Sequence, residues 1–168
     1  MPESEWKKIS IGYRGSAGGI IFYDKGTYTN GWRYLEAAPV DIGTHNWGNR
    51  RENLDVSGTW TGIGSGKRNT ELIIKQRGIH AYAAQACIRY TLNGFNDWFL
   101  PSSDELSLIY INLKQFGISD FVNSGSSVSY WSSSQTSSNR AISFDFSRGT
   151  QNEYPKEYNL SIRAVRAF

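Results

Sequence analysis

The chain has 168 residues, a formal net charge of +3 and 39% hydrophobic residues, a length that fits one domain with at most a short arm. Aromatic residues reach 14%, with 6 Trp, 10 Tyr and 8 Phe, and such side chains build a core that aliphatic counting misses. That composition excludes a disordered chain, and 17 Gly with abundant Ser and Asn exclude a helix bundle.

The first nine residues are polar and charged, read as an N-terminal arm and not as a secretion signal, ahead of a domain over 10–168. Gly18-Gly19-Ile20-Ile21-Phe22-Tyr23 predicts a short apolar strand entered through a glycine turn, and Asp24 to Gly31 reads as a hairpin loop. From Trp32 to Pro39 apolar and polar residues alternate, as in a half-buried strand. Residues 41–68 lack any period and read as a long ordered loop pinned by Trp47 and Trp60.

Asn69 or Thr70 is placed to cap a helix through Lys75, ended by Gly78. Tyr82, Ala83, Ala86, Cys87 and Tyr90 give one face of a helix over 79–91. Pro101 precedes Ser102-Ser103-Asp104-Glu105, a capping box, with Leu106, Ile109, Leu113 and Phe116 as the inward stripe and Gly117 as the stop. A Ser-rich stretch follows from residue 124, flanking Tyr130-Trp131. Ala141 to Phe146 then alternates strictly, which turns Ile142, Phe144 and Phe146 one way and Ser143 and Asp145 toward solvent or a ligand. Ser147 to Thr150 reads as a turn and Leu160 to Phe168 as a closing strand. Strands, helices and strands again make an α+β domain.

Several chemical signatures fail on spacing. Gly62 to Lys67 looks like a phosphate loop, but Thr61 stands where the first Gly is needed and Arg68 where Ser or Thr is. His45 and His80 are far apart with no ligand-spaced carboxylate, so no metal site is expected, and the lone Cys87 forms no internal disulfide and reads as an inert buried thiol. Asn96-Asp97-Trp98 reads as a turn whose Trp enters the core rather than as a calcium site. No paired carboxylates suit glycoside hydrolysis. Between 139 and 168 basic residues exceed acidic ones by two, too few for a nucleic-acid track, and no apolar run is long enough for membrane insertion.

Six segments, in order, carry a resemblance. They are Gly18 to Tyr23, Gly31 to Pro39, Gly64 to Lys67 with Asn69-Thr70, Asp97 to Ser102, Tyr130 to Ser134, and Arg163 to Phe168. Together they resemble the DUF1566 family, which includes the C-terminal domain of the Legionella collagen-like adhesin. The resemblance covers residues 10–168 and implies a C-type lectin-like fold with two helices, short mostly antiparallel sheets and long ordered loops. It is a fold shared with formylglycine-generating enzymes and with the variable proteins of diversity-generating retroelements. Formylglycine-generating enzymes use a pair of active-site cysteines, and this chain has one, so a binding domain without catalysis or cofactor is expected.

In the diversified relatives a C-terminal patch is rewritten while the scaffold is kept. Thr136, Ser138, Asn139, Arg140, Ser143, Asp145, Ser147, Arg148, Asn152, Glu153, Tyr154, Tyr158 and Asn159 are the corresponding candidates here. They are polar or Tyr, and such a mixture behaves as a paratope. The expected ligand is a protein or glycan on a cell surface, partly anionic in character; the alternative is an adhesin of fixed specificity for sulfated glycans. Display at a cell surface, secretion or carriage on a virion follows from the resemblance, as does a homotrimer.

Overall fold

The computed structural model describes residues 11–48, 55–78, 80–121 and 128–168. The N-terminal arm and the Ser-rich stretch from 124 to 127 lie outside the described residues. Strands β1 (Ile20–Thr29), β2 (Trp32–Ala37) and β3 (Thr44–His45) precede helices α1 (Gly66–Arg77), α2 (Ala83–Arg89) and α3 (Ser103–Ile109). Helix α3 runs on as a π-helical turn over Tyr110–Lys114. Strands β4 (Ser129–Gln135), β5 (Arg140–Asp145), β6 (Thr150–Pro155), β7 (Leu160–Ser161) and β8 (Val165–Ala167) complete an α+β fold.

Two sheets result, a small one in the order β1-β2-β8 and a larger one in the order β3-β7-β4-β5-β6. Every described pairing is antiparallel except β4 with β7. The expected closing strand over 160–168 is two strands in different sheets, with Arg163 at the corner between them. Ordered polar sequence also misled at β1, which runs to Thr29. Asn30 and Gly31, at φ 52° and 81°, make the two-residue reversal there, as an Asn-Gly pair favours.

Helix α1 starts three residues before the predicted cap and ends at Gly78. Asn69 and Thr70 lie inside it, buried: Thr70 Oγ1 bonds the Leu100 carbonyl and amide, and Asn69 holds both backbone groups of Trp60. Helix α2 is shorter than the periodicity suggested, because Tyr82 is extended at its N-cap and Tyr90 at its C-cap. The capping box is formed as read: Ser102 accepts from the Glu105 amide, and the Glu105 carboxylate accepts from the Ser102 amide at 2.8 Å. Leu106, Ile109 and Leu113 face inward, but Phe116 is 73% exposed. The π-helical turn inserts an extra residue per turn and rotates everything after it out of phase.

Two apolar clusters form the core. One gathers Trp47, Trp98, Trp131, Leu100, Ile162 and Cys87 between α1, α2 and the larger sheet. The other joins Phe22, Leu35, Phe99, Tyr130, Phe144 and Phe146 against α3. Strand β5 is therefore covered on both faces. Ser143, opposite Trp131 in the register, has no exposed surface, and Asp145 is also buried, accepting from the Ser147 hydroxyl and the amides of Ser147 and Arg148. The expectation that these two face a ligand is corrected by that cover.

Buried charges tie the sheets together. Arg163 donates to Asp41 at 2.7 Å, to the Ala38 carbonyl at 2.8 Å and to the Asp120 carbonyl, and stacks on Phe121. Arg166 joins Glu36 at 2.9 Å to Asp97 at 2.5 Å. Asp97 therefore serves an ion pair and not the turn expected of it, while Trp98 enters the core as read. Replacing Arg163 by Ala strands Asp41 and two carbonyls, so the free energy of unfolding should fall by about 3–5 kcal/mol; urea denaturation of the two proteins measures it.

Candidate functional site

The β4–β5 turn and the end of β6 meet at one end of the larger sheet because the register sets Arg140 opposite Pro155 and Ala141 opposite Tyr154. Thr136 Oγ1 donates to Glu153 Oε2 at 3.2 Å, and Arg140 Nη1 donates to the Glu153 carbonyl at 3.1 Å. Ser137 Oγ closes the turn, donating to Asn139 Oδ1 at 2.8 Å and accepting from the Arg140 amide at 3.1 Å. Beyond β6 the chain folds back so that the Tyr154 and Tyr158 rings lie 5.7 Å apart, tilted by 34°. Tyr158 is 48% exposed and leans over a cleft of about 560 Å³ that Asn46, His80, Tyr82 and Glu157 also line.

A buried strut supports this surface from below. Lys156 Nζ donates to Gln135 Oε1 at 2.7 Å and to the Ser138 carbonyl at 3.0 Å, and lies 4.3 Å from the centre of the Trp47 ring. Its backbone amide donates to the Asn139 carbonyl, and its carbonyl accepts from the Trp47 amide. Gln135 in turn accepts from the Val56 amide, and its own amide donates to Thr59 Oγ1. Trp131 Nε1 donates to the carbonyls of His45 and Tyr158, anchoring the far side of the loop. Burial, with help from the Arg77 charge and against the pull of Asp55, pushes the Lys156 amine down to about 7.

The structure thus brings together Thr136, Ser138, Asn139, Arg140, Glu153, Tyr154, Tyr158 and Asn159 at this end, exposed or half-buried. It does not bring in Ser147 and Arg148, which sit on the β5–β6 turn at the opposite end of the strand, about 20 Å away at strand rise. Asn152 is half-buried midway along β6, and Ser143 and Asp145 belong to the scaffold. Lys156 is buried and Arg148 lies at the other end, so of these basic residues Arg140 remains at this surface, donating to the Glu153 carbonyl, while Glu157 stands on the cleft wall. Sequence reasoning missed Asn46, Tyr82 and the strut residues Lys156 and Gln135. What joins them is contact between segments distant in sequence, such as Gln135 with Val56 and Thr59, and local pattern carries no trace of it.

Other candidates acquire structural roles. The amides of Gly64 and Gly66, which a phosphate would need, donate to Glu105 Oε1 at 2.8 and 3.3 Å, and a Cβ at Gly66 would collide with that carboxylate. Burial pushes the Glu105 carboxyl up to about 7, with the three amides pulling the other way. Cys87 has no exposed surface, and burial raises its thiol well above the usual range. Among the described residues no group of three His, Cys, Asp or Glu is placed to hold a metal ion, and no helix is long and apolar enough to cross a membrane.

Lys156 makes the site's underpinning pH-dependent. Its ordinary value is 10.5, so between pH 7 and 10 the folded chain has released a proton that the unfolded chain keeps. Stability should therefore rise with pH across that window, and Lys156→Met should flatten the rise; denaturation midpoints at a series of pH values measure both slopes.

Comparison with known proteins adds two findings. A fimbrial protein from Bacteroides ovatus shares the fold, with a TM-score of 0.52 and 13% identity over 81% of this chain. The chain spans 36% of that protein's length. No curated protein matches the chain. The family model described as the Lcl C-terminal domain matches residues 44–166, which take in the cleft, the strut and the whole larger sheet. The chain belongs to the Lcl C-terminal domain family.

Proposed function

We propose that this domain is a non-enzymatic recognition module of an adhesin-like surface protein, whose ligand contacts the end of the larger sheet. The observation that carries this reading is the Tyr154–Tyr158 pair, half exposed beside the cleft at the end of the sheet where Thr136, Asn139, Arg140 and Asn159 are exposed. Tyrosines supply contact area at low entropic cost and short polar residues supply adaptable hydrogen bonds, a paratope's division of labour. Family membership and the fimbrial neighbour support a role outside the cell or at its surface. A C-type lectin-like arrangement fits the same reading, since the strands nearest the two ends of the domain share one small sheet and leave the other sheet to present its loops. The mixed charge around Glu153, Glu157 and Arg140 favours a protein ligand over a sulfated glycan at this end.

Multivalent display of the domain on arrays of extracellular proteins and glycans tests this reading. A bound target should be lost at least tenfold, about 1.4 kcal/mol, on Tyr158→Ala or Arg140→Glu. It should be kept on Arg148→Ala at the opposite end. The reverse pattern overturns the placement.

Diversification by a retroelement is the finer form of this proposal, favoured by the way the exposed candidates avoid the core. It makes a sharper expectation on the DNA. A template copy beside a reverse-transcriptase gene should mismatch at the codons of Thr136, Asn139, Arg140, Tyr154 and Tyr158 but not at those of Ser143 or Asp145, which are buried. Mismatches centred on the two buried codons, or no template at all, would sink it and leave an adhesin of fixed specificity.

A further inference from the structure

A second concavity, of about 590 Å³, lies away from the tyrosine surface, between the β1–β2 hairpin and the start of α1. Leu35, Phe99 and Ala167 form its floor, Trp32, Trp60 and Ile63 its walls. Trp60 and Ile63 are 59% and 41% exposed, more apolar surface than an inert rim retains at a concave position. Lys25, Lys67 and Arg68 stand around the opening with Glu71 as the one carboxylate of the lining.

The wall aromatics are already engaged. Lys25 Nζ lies 3.8 Å from the centre of the Trp32 ring, Tyr23 closes on that ring from 6.2 Å, and a Cβ on Gly64 would stand 3.0 Å from its Cζ2. Trp32 is thereby packed among Lys25, Tyr23 and Gly64. Arg68 covers one face of Trp60 at 4.1 Å, held there by its bond to the Gly58 carbonyl at 2.5 Å. The parts left for a ligand are the other face of Trp60, the exposed Ile63 and the cations of the rim, since Leu35 and Phe99 beneath them are buried, and Lys67 has no hydrogen-bond or ion-pair partner among the described residues.

We propose that this groove is a second recognition site, built for an acidic linear peptide segment that seats an apolar side chain against the exposed Trp60 and Ile63 and sets its carboxylates against Lys25, Lys67 and Arg68. An apolar anchor supplies affinity, and flanking charge sets register and excludes basic partners. The net positive rim is the complement of such a segment, and the exposed aliphatic Ile63 beside Trp60 suits an apolar side chain. The site is independent of the tyrosine surface, so either can fail without the other.

Fluorescence anisotropy of a labelled peptide of alternating Glu and Leu against the whole domain tests the proposal, beside an equal-length Glu and Ser peptide and a heparin oligosaccharide. The Glu–Leu peptide should bind at least tenfold more tightly than either. Lys67→Glu and Ile63→Asp, both at exposed positions, should each weaken it tenfold or more with unchanged circular dichroism, while Tyr158→Ala leaves it unaltered. Equal binding of the Glu–Ser peptide would reduce the groove to a patch of charge, and tighter binding of heparin would make it a glycan site. Either result, or insensitivity to both substitutions, overturns the proposal.

Discussion

Arg163 stands where the chain leaves the larger sheet for the smaller one, with none of its side chain exposed, and its guanidinium reaches two otherwise separate stretches. Ala38 and Asp41 follow β2, Ser119 and Asp120 follow the π-helical turn, and all four receive its N–H groups. Asp41 also accepts from the Tyr130 hydroxyl of β4 at 2.8 Å. A planar fork with five donors suits this task, and an ammonium does not. The corner decides where β7 and β8 can go, and with them how β3 and β4 are held on either side of β7.

The same economy appears in how polar groups are spent elsewhere. Glu105 uses both carboxylate oxygens on amides, one from its own capping box and two from the loop before α1, so the glycine-rich segment is filled from within. Lys156 spends its amine on the carbonyl of a surface turn and on Gln135. Such groups look from the sequence like ligand-binding charges. Inside the fold they hold loops in place, and the polar residues left over at the rims stay exposed.

How much of this was legible follows from the range of the interaction involved. The capping box, the strand through Ala141 and the reversal at residues 146–149 are set by neighbours within a few positions, and local pattern reads them well. Phe116 was misplaced because no short-range signal announces a π-helical turn. Trp60, which reads as a pin of the long loop, is itself held: its backbone is pinned by Asn69 and Ser134 while its ring stays out under Arg68. Ser143 and Asp145 alternate with buried residues as surface residues do, and only the cover on the second face of β5, assembled from Trp131 and the turn it caps, makes them structural. At the candidate site the exposed loops were legible as composition; the cleft was not, since Asn46, Tyr82 and Tyr158 meet only in three dimensions.

The late strands carry a kinetic consequence. β7 is inserted between β3 and β4, and β8 completes the sheet begun by β1 and β2. Neither sheet can close until residues 160–167 have left the ribosome, so the early strands must wait, edges open, through most of synthesis. Topologies of this kind fold slowly, because long loops must close before the pairing rewards them. The first strands of the domain thus depend on its last, and neither sheet is complete without both.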